Sequence, residues 1–208
     1  ADITKKSLTI TGASANNKAY DGTTAATVAY GGASLVGVVS GDTVTVDQSG
    51  ASALFPQKDV GAGLAVTVSG VALAGADAPN YTVSQPTGLT ASITNKNLTI
   101  TGAVAQDKPY DGNTSATVDF SGASLVGVVG TETVSLDSSG YVATFATANS
   151  GNGVAVTVTG ATLSGVDAGN YTVSQPSGLT ANITGRPLTI SGTVAVGKTY
   201  NGTTAATV

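Results

Sequence analysis

The side chains in this sequence that could most readily react with each other are a lysine, an aspartate and an asparagine that recur together. They are Lys18, Asp77 and Asn80, which return 90 residues later as Lys108, Asp167 and Asn170. A neutral lysine amine beside an asparagine amide, with a protonated acid polarising the carbonyl, can form an intramolecular amide bond. Because Lys18 precedes a turn and lysine is rarely fully buried, we expect it on the surface and predict no cross-link.

The rest of the inventory argues against catalysis. The 208 residues include no Cys, His, Met or Trp, so they lack the ordinary nucleophile pairs and the ligands of zinc, copper, haem and iron–sulfur sites. We therefore predict a protein that is not an enzyme and has no catalytic, cofactor-binding or metal site and no cofactor. Calcium stays open, although no run of carboxylates resembles a calcium loop.

Charge and hydropathy exclude two further classes of partner. Charged residues make up 10% of the chain and the formal net charge is −4, so no basic patch is available to neutralise a phosphate backbone. No apolar stretch approaches the length of a membrane span. We predict no nucleic-acid partner and no membrane insertion.

The elements that must position these residues come from a tandem repeat. SLTITG at Ser7 returns as NLTITG at Asn97 and as PLTISG at Pro187, at a constant spacing of 90 residues. We divide the chain into a first repeat (1–95), a second repeat (96–185) and the incomplete start of a third (186–208). The last part lacks the partners that would bury Leu188, Ile190 and Val208, and a pair of strands is marginal alone.

Each repeat has the pattern of a β-sandwich. Apolar residues alternate with Thr and Ser in the runs Leu8–Thr11, Thr43–Val46, Val66–Ser69 and Leu89–Thr94, which is the period of half-buried strands. About seven such candidates per repeat, separated by Gly, Asn, Asp and Pro, predict an all-β fold of two packed sheets. Joints of only two residues between repeats, such as Asn95-Lys96, predict a semi-rigid, elongated rod.

Two motifs stand out within each repeat. Tyr20-Asp21-Gly22 and Tyr110-Asp111-Gly112 have turn chemistry, because Gly tolerates positive φ and Asp bonds to the backbone two residues on; Asn201 does the same in the third copy. The segment with Asp77, Asn80 and Tyr81, repeated as Asp167, Asn170 and Tyr171, resembles the corner of immunoglobulin-like sandwiches, where a Tyr hydroxyl bonds to backbone just upstream. We interpret the twelve motif residues of the two full repeats as structural, with Asp77 and Asp167 capping local backbone amides.

Taken in order, the K-x-Y-D-G-x-T-x-A-T-V opening, the L-x-G-x-D-A-x-N-Y corner and the closing A-x-I-T resemble the YDG, or MBG (mostly β, glycine-rich), repeat family over the whole chain. The resemblance implies arrays in large bacterial surface and exported proteins, including biofilm-matrix adhesins. The function that it implies is a structural stalk, extracellular or on the cell surface, that projects a distal binding region. Its partners would be neighbouring repeats, with matrix polysaccharide or a host surface bound through other regions of the parent protein.

A second class of function is direct ligand binding. Exposed Thr pairs, such as Thr9 with Thr11 and Thr99 with Thr101, offer hydroxyls to carbohydrate or another surface ligand. Thr is, however, also a good strand residue on a solvated face, and pairs 90 residues apart do not build one flat array.

Overall fold

The structure, a computed structural model, describes residues 1–206. Within them the chain forms short strands and two single-turn 3₁₀ segments but no α-helix. The prediction of an all-β fold built from tandem sandwich repeats of 90 residues is confirmed. Val208, named above as unpartnered, lies outside the described residues.

The strands of the first repeat are β1 (Lys6–Thr11), β2 (Ser14–Ala15), β3 (Lys18–Ala19), β4 (Ala25–Ala26), β5 (Val28–Ala29), β6 (Ser34–Val36), β7 (Thr45–Asp47), β8 (Ser52–Leu54), β9 (Gly61–Ala65), β10 (Thr67–Ser69), β11 (Ala72–Ala74), β12 (Tyr81–Ser84) and β13 (Thr90–Thr94). A 3₁₀ turn, Ala78–Asn80, precedes β12. The first repeat has more strands than the seven or so predicted, because several of its strands are only two residues long.

The strands of the second repeat are β14 (Lys96–Thr101), β15 (Val104–Ala105), β16 (Lys108–Pro109), β17 (Val118–Asp119), β18 (Ser124–Val126), β19 (Ser135–Asp137), β20 (Val142–Phe145), β21 (Gly151–Thr159), β22 (Thr162–Ser164), β23 (Tyr171–Ser174) and β24 (Leu179–Thr184). The second 3₁₀ turn, Ala168–Asn170, precedes β23.

The alternating sequence of β1 explains its place in the sheet. Leu8 and Ile10 are buried while the Thr residues between and after them are exposed, as the period of two requires. β1 lies between β12, which is parallel to it, and β6, which is antiparallel. The same order, with β14 between β23 and β18, recurs in the second repeat.

The described chain forms two compact units. The first comprises residues 1–103, 120–142 and 158–176, and therefore contains the whole first repeat and part of the second. Its core draws on both repeats. The buried members are Ile10, Tyr20, Phe55, Val66, Val68, Val71, Ala91, Ile93, Leu98 and Tyr171.

The second unit comprises residues 104–119, 143–157 and those from Ser177 onward. Its main sheet has the order β16-β24-β21-β20, and Phe145, Val156 and Ile183 are buried in it. In the third copy of the repeat, Leu188 and Ile190 are 89% and 88% exposed. The predicted boundaries at residues 95 and 185 stay a prediction.

Candidate functional site: the repeat junction

The Tyr-Asp-Gly loop is organised by its aspartate and a lysine. Asp21 Oδ1 accepts the backbone N–H of Thr23 at 2.9 Å, which is the turn that the sequence predicts. The Lys18 ammonium donates to the same oxygen at 2.7 Å and to the Thr23 carbonyl at 2.8 Å. The lysine thus stabilises the loop by bonding to both Asp21 and Thr23.

The same loop forms in the later copies. Lys108 donates to Asp111 at 2.8 Å, and Lys198 donates to Asn201 at 3.0 Å, so asparagine replaces aspartate without loss of the turn. Contrary to the surface position expected for Lys18, its side chain is only 18% exposed. Its ammonium lies 5.8 Å from the centre of the Phe55 ring.

The corner tyrosine uses a distant partner. The Tyr81 hydroxyl accepts the backbone N–H of Val39 at 3.0 Å and donates to Asp42 at 2.5 Å. The predicted bond to backbone just upstream is therefore replaced by bonds to a loop about 40 residues away. Asp77 likewise accepts the N–H of Thr43, at 2.8 Å, rather than a local amide. The corner holds two separate segments of the repeat together.

In the second repeat the equivalent corner also reaches the first repeat. The junction cluster, which we define as Tyr20, Lys58, Glu132 and Tyr171, lies within the first compact unit. Tyr171 donates to Glu132 Oε2 at 2.5 Å, Lys58 donates to Oε1 at 2.9 Å, and the Tyr20 hydroxyl donates to Oε1 as well. One carboxylate therefore binds two side chains of the preceding repeat and one of its own.

The environment of Glu132 sets its ionisation. Burial by itself raises its pKa, but hydrogen bonds from Tyr171, Tyr20 and Lys58 outweigh that effect and lower the pKa to about 2. Burial, followed by the hydrogen bond to Glu132, raises the pKa of Tyr171 to about 12. The cluster therefore holds one carboxylate, one ammonium and two neutral phenols across the neutral pH range.

Packing around the cluster is close. The rings of Tyr20 and Tyr171 meet edge to face, with centroids 5.4 Å apart, and Tyr20 is 1% exposed. Gly22 has φ of +77°, and a Cβ built on it would lie 2.8 Å from Val129 Cγ1. The glycine of the turn motif therefore also permits the two repeats to approach each other.

Asn170 supplies a second polar contact between the repeats. Its side-chain oxygen accepts the N–H of Val60 at 2.9 Å, and its amide donates to Asp59 at 3.0 Å. In the opposite direction, Asn95 donates to the Gly169 carbonyl at 2.8 Å. Asn170 is 7% exposed, whereas its counterpart Asn80 is exposed.

A family model for the YDG domain matches residues 4–88 and again residues 94–178. The chain belongs to the YDG domain family. Searches of curated proteins and of solved structures gave no match. Each YDG match includes one Tyr-Asp-Gly loop and one corner, so the junction cluster joins two successive YDG repeats.

Half of the junction residues were not singled out from the sequence. Tyr20 and Tyr171 are in the predicted motifs of the YDG repeat, whereas Lys58 and Glu132 are in none. A signal for them was present in the differences between the copies, because Glu132 replaces Asp42 and Ala148 replaces Lys58 at the 90-residue spacing. Tyr110, the second-repeat counterpart of Tyr20, is 41% exposed.

The contacts described above join successive YDG repeats to each other. Among residues 1–206, no three carboxylates lie close enough together to hold a metal ion. The described chain also contains no helix with the length and apolar character of a membrane span.

Proposed function

We propose that these YDG repeats are structural spacer repeats of a large bacterial surface or secreted protein, such as an adhesin or a biofilm-matrix protein. They hold a distal binding region away from its anchor and carry out no catalysis themselves. The observation that supports this proposal is the junction between repeats. A single residue, Asn95, separates β13 from β14, and Tyr20 and Tyr171 of different repeats belong to one buried core.

A spacer needs joints that resist bending, and the junction has the features of such a joint. A flexible tether would leave successive domains free to reorient, whereas shared buried side chains and buried hydrogen bonds must break before these repeats can move apart. We also propose, as part of the same function, that the repeats are extracellular or on the cell surface. Matrix polysaccharide or a host surface would then be bound by other regions of the parent protein.

The test uses the absence of cysteine from the chain. Ser49 and Ser139 are exposed and lie at equivalent positions of the two repeats, so the pair Ser49→Cys and Ser139→Cys accepts spin labels without side reactions. A narrow distribution of label distances is expected, and a broad one of the kind that a flexible linker gives would reject the spacer proposal. Small-angle scattering of the unlabelled chain tests the elongated rod directly.

Carbohydrate binding through the Thr-rich strands has weaker support. Hydroxyls of Thr11 and Thr101 already bond to Ser34 and Ser124, each at 3.0 Å, and so are less available to a ligand. A glycan array probed with the labelled chain distinguishes the two functions, because specific binding would favour the second.

A further inference from the structure

We propose that the surface of the first repeat formed by Tyr20, Lys58, Asp59 and Val60 recognises one kind of neighbour, a YDG repeat with glutamate rather than aspartate at the position of Glu132. The proposal deepens the spacer function and rests on it, because it adds that successive repeats are not interchangeable. Position 132 and position 58 together would decide which repeats can follow each other.

The second repeat does not need glutamate at position 132 for its own corner. In the first repeat, Asp42 accepts the hydroxyl of Tyr81 at 2.5 Å, the same length as the bond from Tyr171 to Glu132. The Val39 and Val129 amides also bond to their tyrosines at the same distance, 3.0 Å. The shorter acid therefore completes the corner equally well. The extra methylene of Glu132 serves the contact with the preceding repeat.

The first repeat likewise does not need Lys58 for its own fold. Lys58 donates to Glu132 at 2.9 Å and to the Tyr20 hydroxyl at 3.2 Å, so its polar contacts are directed into the junction cluster. In the second repeat the same position is Ala148, and the Tyr-Asp-Gly loop there still forms. The cation is thus present on the surface that meets a glutamate.

A mismatched pair at positions 58 and 132 is less stable than the matched pair. The Glu132 side chain is 13% exposed, so removing its cation leaves a charge that water reaches poorly. Shortening the acid to aspartate instead withdraws the acceptor from Lys58 and Tyr20. Specificity is a difference between the matched and mismatched pairs, and both mismatches here lose hydrogen bonds that the matched pair makes.

Asn170 provides a contact across the junction that is separate from the pair of Lys58 and Glu132. It accepts from the Val60 amide and donates to Asp59, and neither bond depends on Lys58 or Glu132. The Val60 amide therefore reports on whether the junction is closed without being part of the proposed pair. The Val39 amide, bonded to Tyr81 inside the first repeat, reports on the fold of that repeat alone.

The test is hydrogen exchange at single amides, measured by NMR on the full chain. Lys58→Gln is expected to lower the protection of the Val60 amide about tenfold while the Val39 amide is unchanged. Lys58→Arg, which keeps the cation, is expected to stay within about twofold of the wild type. If the Val60 amide were as well protected in Lys58→Gln as in the wild type, the proposal would be overturned.

A double-mutant cycle separates recognition from general packing. Lys58→Ala and Glu132→Asp are each expected to lower Val60 protection about tenfold relative to the wild type. Because the two positions act as a pair, the double variant is also expected to lower it about tenfold in total, rather than a hundredfold. Independent, multiplying effects would refute the pairing. If Glu132→Asp also lowers protection at Val39, that variant disturbs the fold as well as the junction. The comparison of Lys58→Gln with Lys58→Arg then tests the proposal by itself.

Matched controls come from the other copy of each position. Asp42→Glu and Ala148→Lys make the reverse chemical changes at the equivalent positions of the other repeat, outside the junction cluster. Both should leave Val60 protection within about twofold of the wild type. A drop as large as that from Lys58→Ala would show that the effect is not specific to the junction. A narrow distribution of label distances together with no effect of Lys58→Gln on Val60 protection would support the spacer proposal and reject the proposed recognition. A broad distribution of label distances in the wild type would reject the spacer proposal itself.

Discussion

Replacing Tyr171 by phenylalanine removes two hydrogen bonds and leaves the ring packing in place. The lost bonds are the donor to Glu132 Oε2 at 2.5 Å and the acceptor for the Val129 amide at 3.0 Å. A hydrogen bond to a charged group contributes about 1.5 to 3 kcal/mol net, and an amide left unpaired adds to the loss. Because Tyr171 is 5% exposed, water replaces these bonds poorly. We expect Tyr171→Phe to lower the free energy of unfolding by about 2 to 3 kcal/mol.

The assay is thermal and urea unfolding of the full chain, followed by circular dichroism. A loss of this size corresponds to a fall in Tm of roughly 5 to 10 °C for a chain of this length. The matched control is Tyr81→Phe, which removes the equivalent two bonds in the first repeat. Among residues 1–206, Asp42 accepts a side-chain hydrogen bond from Tyr81 of its own repeat, whereas Glu132 also accepts bonds from Lys58 and Tyr20 of the other repeat. We therefore expect a smaller loss of stability for Tyr81→Phe.

The comparison decides whether the junction has the energetic role assigned to it. If Tyr171→Phe destabilised the chain no more than Tyr81→Phe, the bond from Tyr171 to Glu132 would stabilise the chain no more than the bond from Tyr81 to Asp42, and the larger loss expected here would be wrong. Exchange at the Val60 amide provides a second readout, because only the Tyr171 variant should accelerate it.

Three further predictions follow from the same geometry. The pKa of Glu132 is lowered from 4.5 to about 2, so its contribution is complete above pH 4.5 and should be lost as pH falls from there towards 2; Glu132→Gln should flatten a plot of Tm against pH over that range. Gly22→Ala should destabilise more than Gly112→Ala in the same unfolding assay, because both glycines have positive φ but only at Gly22 would the new Cβ meet Val129. Intact mass spectrometry should give the mass of the sequence, because the lysine ammoniums of both full repeats are bonded within their own loops; a mass lower by one ammonia per full repeat would reveal the cross-link.

Local features of the fold could be predicted from the sequence. Leu8 and Ile10 alternate with threonines, which is sufficient to define a strand and its buried face. The turn at Asp21 was equally predictable, because its hydrogen bond spans two residues and depends on side chains next to each other in the chain. Repetition at 90 residues then implied that the same elements recur.

The partners of the corner could not be predicted in the same way. Tyr81 and Asp77 were correctly singled out as candidates for hydrogen bonding, but their partners Val39 and Thr43 lie 42 and 34 residues away. No local pattern encodes which loop of a sandwich lies beside another. That choice depends on how the sheets pack.

The sequence by itself determined the repeat, the alternating strands, the Asp-Gly turns and the family. Tertiary structure alone decided that two copies of one motif differ in their surroundings: Asn80 is exposed, whereas Asn170 is 7% exposed and binds Asp59, 111 residues away. The physical reason is that strands and turns depend on neighbours in the chain, whereas burial depends on which surface the folded chain brings against a residue. Glu132 and Lys58, 74 residues apart, become a pair only when that surface forms.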